Sequence, residues 1–276
     1  MTKINFLGTG NAMVTKCYNT CFTIENEYGE HLLIDTGGGN SILTQLENLN
    51  ISISKIHNLF LSHSHNDHIN GITFIIRAVV EAILKDQYKG TLNIYGHKTV
   101  LDVAKALCHL LLEEKFTNLF DDKILFIEIS DNNDIEILNY KISFFNIDST
   151  KRLQFGFKLM TNDNISLAFI GDEPYKAYLF KYCNNSDYLI HEAYCLYEER
   201  EIFKPYEKSH TTVKEACENA TELNVDNIIL LHTEDKHIEN RKEFYSAEGR
   251  YFFNKNIIVP DDLETLELTN ESSKIL

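Results

Sequence analysis

"LSHSHNDHINGI", residues 61–72, sets three histidines and an aspartate within six positions, between an apolar run and a glycine. His63 and His65 are one residue apart at the end of the strand-like stretch "KIHNLFLSH", and in extended backbone such residues point to the same side. Asp67 and His68 follow where the chain must turn into the next helix. Imidazole and carboxylate are ligand types that zinc, iron and manganese all accept. Surface histidines are common and mostly inert. Three with an aspartate, at the mouth of an apolar strand, point to metal instead.

A metal site that does chemistry needs further ligands from elsewhere in the chain. Three later apolar stretches end on suitable residues: "LAFIGD" on Asp172, "DYLIHEA" on His191 and Glu192, and "NIILLH" on His232. Together with the histidine cluster they suit ligands converging on one edge of the sheets.

The surrounding pattern is α/β. "KINFLGTG", "CFTIE", "HLLIDTG", "KIHNLFLSH" and "GTLNIYGH" read as strands, interrupted by helical periodicity after Gly39, from about Ile72 to Lys85, and over Thr99–Glu113. The second half continues with strand candidates "KILFIEIS", "DIEILN", "YKISFFNID", "LQFGFKLMT", "ISLAFIGD", "SDYLIHEA" and "VDNIILLHTED", plus a helix at "TVKEACENATELN". Strand runs punctuated by single helices predict large mixed sheets. With only 3 prolines and no Ser/Gly/Pro-rich stretch, residues 1–276 read as one domain without a linker.

Composition narrows the partners. The net charge of −15 argues against a long RNA, because a polyanion is usually gripped by a basic footprint, and lysine and arginine are scattered here. The longest apolar segment, "ITFIIRAVVEAIL", is too short to span a bilayer and carries Arg77 and Glu81. "MTKINFLGTGNAM" does not read as a signal peptide, and the six cysteines form no CxxC pair. A cytoplasmic protein with free thiols and no membrane association is expected, with a homodimer admitted as its assembly.

At this point the chain resembles a known family. His63-Ser-His65-Asn-Asp67-His68 is the HxHxDH pattern of the metallo-β-lactamase superfamily. "FLGTGNA", "LIDTGGG", the strand ending in "GD", "DYLIHEA", "HTT" and "LLHTED" follow the order of its ribonuclease Z branch and small phosphodiesterase relatives, from about residue 3 to 235. The resemblance implies a four-layer αββα sandwich with a binuclear metal site at the sheet edges. It implies that His63 and His65 hold one ion, that Asp67, His68 and His232 hold the other, and that Asp172 bridges them. Two zinc ions are expected, with manganese or iron as alternatives. Asp67 would also orient or deprotonate the attacking water, and His210 would stabilise or protonate the leaving oxygen. Glu192 would orient His210, with His191 structural and Asp35 packed beneath the metal loop. The other reading of His210 is a helix cap, since Ser209, Thr211 and Thr212 around it all have capping chemistry.

One departure stands out. The family pattern places a third histidine of the first metal on a strand between Asp67 and Asp172, yet "FFNIDSTKRLQFGF" (144–157) has none. Asp148 is the nearest carboxylate, Thr150 falls at the expected spacing from Gly156, and water is a third way to complete the site. "DTGGGNS" (35–41) reads either as an anion-binding helix entry or as a tight turn. His31, His57, His97, His109 and His237 read as structural or surface residues.

Ribonuclease Z carries a Gly/Pro-rich arm that clamps tRNA, and between Asp148 and Asp172 this chain has room only for two strands and the turn "TNDN". The expected activity is therefore metal-dependent hydrolysis, by a metal-activated water, of a small phosphodiester such as a cyclic nucleotide or short nucleotide. The alternatives are ribonuclease Z-type tRNA 3′ processing, hydrolysis of a sulfate ester or lactone, and a non-catalytic metal- or ligand-binding protein with a degenerate first site.

Overall fold

In the computed structural model, which describes residues 1–269, the strands are laid down in two runs. The first comprises β1 (Lys3–Gly8), β2 (Cys21–Glu25), β3 (His31–Ile34), β4 (Ile56–Phe60), β5 (Leu92–Gly96) and β6 (Ile124–Glu128). The second comprises β7 (Asn133–Ile137), β8 (Tyr140–Asn146), β9 (Phe155–Met160), β10 (Ser166–Phe169), β11 (Tyr188–Glu192), β12 (Asn227–Leu231) and β13 (Asn256–Ile258). A last short strand, β14 (Thr265–Glu267), returns to the first sheet and pairs antiparallel with β1. The sheet orders are β14-β1-β2-β3-β4-β5-β6 and β13-β12-β11-β10-β9-β8-β7.

Each sheet begins as antiparallel hairpins and ends in parallel strands. β3 to β6 pair in parallel, as do β10 to β13. Parallel neighbours need a crossover, and helices supply it. Ser41–Asn48, Ile72–Leu84 and Lys98–Leu111 cover the outer face of the first sheet, and Val213–Glu222 and Arg241–Gly249 that of the second. Between the sheets lies an aromatic-rich core. Phe60 packs on Phe144 at 4.9 Å between ring centroids, and Phe22 meets Phe169 edge-on at 5.6 Å. Each such buried ring contributes about 1.5–3 kcal/mol through lost hydration. The expected four-layer αββα sandwich is the observed architecture.

The helices expected at 72–85, 99–113 and 212–224 lie within two residues of those limits. The elements after residue 235 escaped it for physical reasons. "RKEFYSAEG" has little apolar periodicity, and its helix is anchored by the buried Arg241, which donates to Thr9 Oγ1, Thr233 Oγ1 and the Pro260 carbonyl. β14 has three residues and finds its partner almost a full chain length away. Among the described residues, no helix is long and apolar enough to cross a membrane.

Candidate metal centre

The parallel strands β4, β10, β11 and β12 all deliver chemistry at their carboxyl ends, the edge where open α/β sheets bind ligands. Just past β3, Asp35 accepts hydrogen bonds from Ser62 N (2.8 Å) and Ser62 Oγ (2.6 Å), and its Oδ2 lies 2.9 Å from His68 Nδ1. These contacts hold Asp35 in a left-handed conformation (φ 55°), rare for a residue with a Cβ. Asp35 thus packs beneath the histidine loop, as expected, and engages one ring nitrogen of His68 so that Nε2 is left for other work. Gly71 closes the loop against the turn after β3. A Cβ there would lie 2.1 Å from the Thr36 carbonyl oxygen, so only glycine fits.

Around Asp172 the expected ligands converge. Its Oδ2 is 3.5 Å from His63 Nε2, 3.3 Å from His68 Nε2 and 3.6 Å from His232 Nε2. His63 Nε2 is 2.9 Å from His65 Nδ1, and Asp67 Oδ2 is 3.3 Å from His68 Nε2. Two groups result, His63–His65–Asp172 and Asp67–His68–His232, each with ligand atoms within 4.8 Å of one another. Atoms that share a tetrahedral zinc at about 2.0–2.1 Å are roughly 3.3 Å apart, close to these spacings. Asp172 Oδ1 and His68 Nε2 are buried without a hydrogen-bond partner, a costly state that a cation relieves. The donor set therefore fits divalent metal.

The electrostatics agree. Burial holds the imidazoles of His63 and His65 below their ordinary range and brings His232 down to about 3, leaving ring nitrogens with lone pairs to donate. Burial opposes charge on Asp172 too, but His63, His68 and His232 together keep its carboxyl well below the usual carboxylate range. At His68 burial is outweighed by Asp67, Asp172 and Asp35, which push its pKa well above normal. Three carboxylates converging on one imidazole call for positive charge. His232 follows β12 in a left-handed conformation (φ 57°), a second strained backbone position at the site.

His210 reaches the same pocket. The helix cap is Thr212, which forms a reciprocal capping box with Glu215 and leaves His210 free. Its Nδ1 is 2.7 Å from Glu192 Oε2, and Glu192 also accepts from Thr211 N (2.7 Å) and Thr211 Oγ1 (2.9 Å). Burial raises Glu192 to about 7 against the pull of His210, while Glu192 and Asp172 raise His210 despite its own burial. His191 points elsewhere in its bonding, to the Glu192 carbonyl and Asn219, and is structural as expected.

Other expectations resolve less evenly. Asp148 is exposed and ion-paired to Lys176 at 3.6 Å, outside both ligand groups, so it is not the replacement for the third histidine. Thr150 turns to Glu173, which accepts from Thr150 N at 2.9 Å, while its hydroxyl lies 3.2 Å from Ser209 Oγ. Gly37 and Gly38 of "DTGGGNS" pack on Tyr18 and Asn19, with Tyr18 OH donating to the Thr36 and Gly39 carbonyls, which agrees with the tight-turn reading. His31, His57, His97 and His109 make structural contacts with Thr23, Thr91, Val100 and Phe120. His237 joins Glu199 and Glu234 in a further ligand-type group, where Lys236 is ion-paired with Glu199 and supplies the cation. Sequence reasoning missed Tyr194, Lys151 and Lys208, which line the metal-side pocket of about 290 Å³ with Asn11, Met13, His65 and His210. No motif marks them.

Residues 2–257 match the family model described as Anti-Pycsar protein Apyc1. The chain belongs to that family. This Apyc1-family chain is also similar to ribonuclease Z of Nanoarchaeum equitans, 25% identical over 96% of the chain and 92% of that protein. In structure this family member resembles the metallo-β-lactamase fold protein YhfI from Bacillus subtilis, with a TM-score of 0.77 and 17% identity over 96% of the chain and 98% of YhfI. It also resembles a diphosphatase of the PhnP family, with a TM-score of 0.74 and 16% identity over 98% of each chain. The Apyc1-family chain thus has the metallo-β-lactamase fold and a ribonuclease Z-like sequence.

Proposed function

We propose that this chain is a metal-dependent phosphodiesterase that hydrolyses a small phosphodiester such as a cyclic nucleotide. The observation that carries the reading is Asp172, whose Oδ2 lies within 3.6 Å of His63, His68 and His232 and so joins two ligand groups into one centre. His63, His65 and Asp172 would hold one ion, and Asp67, His68, His232 and the shared Asp172 the other. Zinc is the expected metal, and manganese or iron accept the same donors. When bound, such ions polarise a phosphoryl oxygen and bring the pKa of water to about 7.

The chain's own residues do the rest. Asp67, a buried carboxylate beside His68, orients the attacking water and takes its proton. His210 carries its proton on the side away from Glu192 toward the leaving oxygen, and Glu192 fixes the ring through Nδ1. The pocket of about 290 Å³ sits at the small end for ligand sites and suits a compact ester. The names of two similar proteins, a ribonuclease and a diphosphatase, support chemistry at a phosphate in this fold.

The test is hydrolysis of bis(p-nitrophenyl) phosphate and of cyclic nucleotides by zinc- or manganese-loaded protein, with His65→Ala as control. Turnover that His65→Ala abolishes supports the proposal. No turnover with any divalent metal overturns it. Cleavage of precursor tRNA without any small-diester activity would transfer the site to ribonuclease Z-type processing. Turnover confined to sulfate esters or lactones would change the substrate class, and a site that holds metal yet turns over none of these would make it a binding protein.

A further inference from the structure

The segment that lacks the expected third histidine is built for something else. Glu173, buried beside Asp172, accepts from Ser149 Oγ (2.6 Å) and Thr150 N (2.9 Å). Thr150 Oγ1 also donates to Ser209 Oγ at 3.2 Å. Phe155 N donates to the Ser62 carbonyl (3.1 Å), seating the end of the segment against the histidine loop. Pinned at both ends, the chain brings Lys151 into the pocket lined by His65, Asp67, Asp172, His210 and His232. Lys151 Nζ donates to the backbone carbonyl of Lys208, a second lysine of the same pocket. Lys208 Nζ in turn donates to Tyr194 OH at 3.0 Å. Arg152, next along, reaches Ser64 between the two histidines of the loop at 3.4 Å.

In a chain of net charge −15, cations gathered at one pocket are the exception. Among the described residues, the only acidic ones lining that pocket are Asp67 and Asp172, both in the candidate ligand groups, so neither is a dedicated partner for the lysines. Lys151 and Lys208 instead bond to a carbonyl and a phenol, and Lys208 Nζ also lies 5.0 Å from the centroid of the Tyr194 ring, so both ammonium groups have only neutral partners here. Lysine is a flexible point charge well suited to a phosphate oxygen.

We propose that Lys151 and Lys208 form a clamp for the non-bridging oxygens of the substrate's phosphate, so that the site selects an anionic phosphodiester by charge. The inference rests on the phosphodiesterase reading and deepens it. The clamp supplies binding and orientation; neither lysine takes part in bond making or breaking.

The experiment uses the full-length, metal-loaded chain and the variants Lys151→Met, Lys208→Met and Lys151→Arg, with Lys176→Met, outside the pocket, as control. Inorganic phosphate is the calorimetric probe, and KM and kcat for bis(p-nitrophenyl) phosphate are measured alongside metal content. Each methionine variant is expected to weaken phosphate binding and raise KM about tenfold, with a smaller change in kcat and unaltered metal content. Lys151→Arg should restore most of the affinity, and Lys176→Met should match wild type. Both lysines are exposed, so the variants are expected to fold, and a thermal melt checks it. Unchanged phosphate affinity and KM in both methionine variants overturn the clamp. If phosphate binding depends on the lysines but no phosphodiester is turned over, the clamp stands and the phosphodiesterase reading falls.

Discussion

Tyr194 lies flat on His210, with ring centroids 4.7 Å apart and planes within 6°. Glu192 grips the same imidazole from its edge at 2.7 Å, so stacking fixes the plane of the ring and the carboxylate fixes its rotation. In its proposed role as proton donor, a ring held in this way loses little entropy at the moment of transfer. Glu192→Gln should therefore lower kcat about 10–100-fold while leaving metal content unchanged. Steady-state kinetics with metal analysis on the same preparation check it.

Asp172 belongs to the group with His63 and His65, and its Oδ2 also lies 3.3 Å from His68 and 3.6 Å from His232 of the other group, so its replacement is the sharpest test of the proposed shared centre. Asp172→Asn should reduce the metal retained from two ions per chain to one or fewer. The wild-type melting temperature should fall on chelation, because ions bound only by the folded state stabilise it. That of Asp172→Asn should barely respond. Emission spectroscopy and thermal melts with and without chelator give both readings.

Much of this candidate site was legible in the sequence because its candidate ligands sit at the ends of apolar strands, where composition changes abruptly. His63, Asp172 and His232 each follow a run of apolar residues, and the parallel pairing of β10, β11 and β12 brings the later ones to one edge. Lys151 and Lys208 were not legible. They are ordinary surface lysines until Glu173 pins the turn at Ser149 and Thr150, a contact between segments that no local pattern encodes. The third ligand was open for the same reason. Asp148 had the right chemistry, but its backbone turns left-handed (φ 56°) and its side chain lies in solvent beside Lys176.

Gly71 should be intolerant of any side chain. The obstacle to a Cβ is the Thr36 carbonyl oxygen, which is backbone and cannot swing aside. Gly71→Ala is expected to cost about 1–3 kcal/mol of stability. It should also weaken metal binding, because the displaced loop carries Asp67 and His68. Urea denaturation and metal titration of the variant report the two effects separately.

Acid should weaken the fold partly through His97, remote from the metal ligands in sequence. Its Nδ1 accepts the Val100 N–H at the start of helix Lys98–Leu111, and burial pushes its pKa down to about 4. In the unfolded chain the imidazole titrates near 6.5. The stability that the neutral ring contributes is thus fully present above about pH 6.5 and is lost as the pH falls toward 4. His97→Asn keeps a capping oxygen without the titration. The slope of stability against pH in that window should flatten by about 1.4 kcal/mol per pH unit at most, as one proton requires. Urea denaturation at half-unit pH steps reads it out.

The central claim is hydrolysis of a small phosphodiester at the centre around Asp172, and phosphorus NMR of cyclic nucleotides follows that reaction directly. Metal-loaded wild type should convert the cyclic diester signal to that of a phosphate monoester, and the conversion should stop on chelation and in Asp172→Asn. A diester signal that persists with every divalent metal, or one that disappears equally fast in Asp172→Asn, would contradict the account.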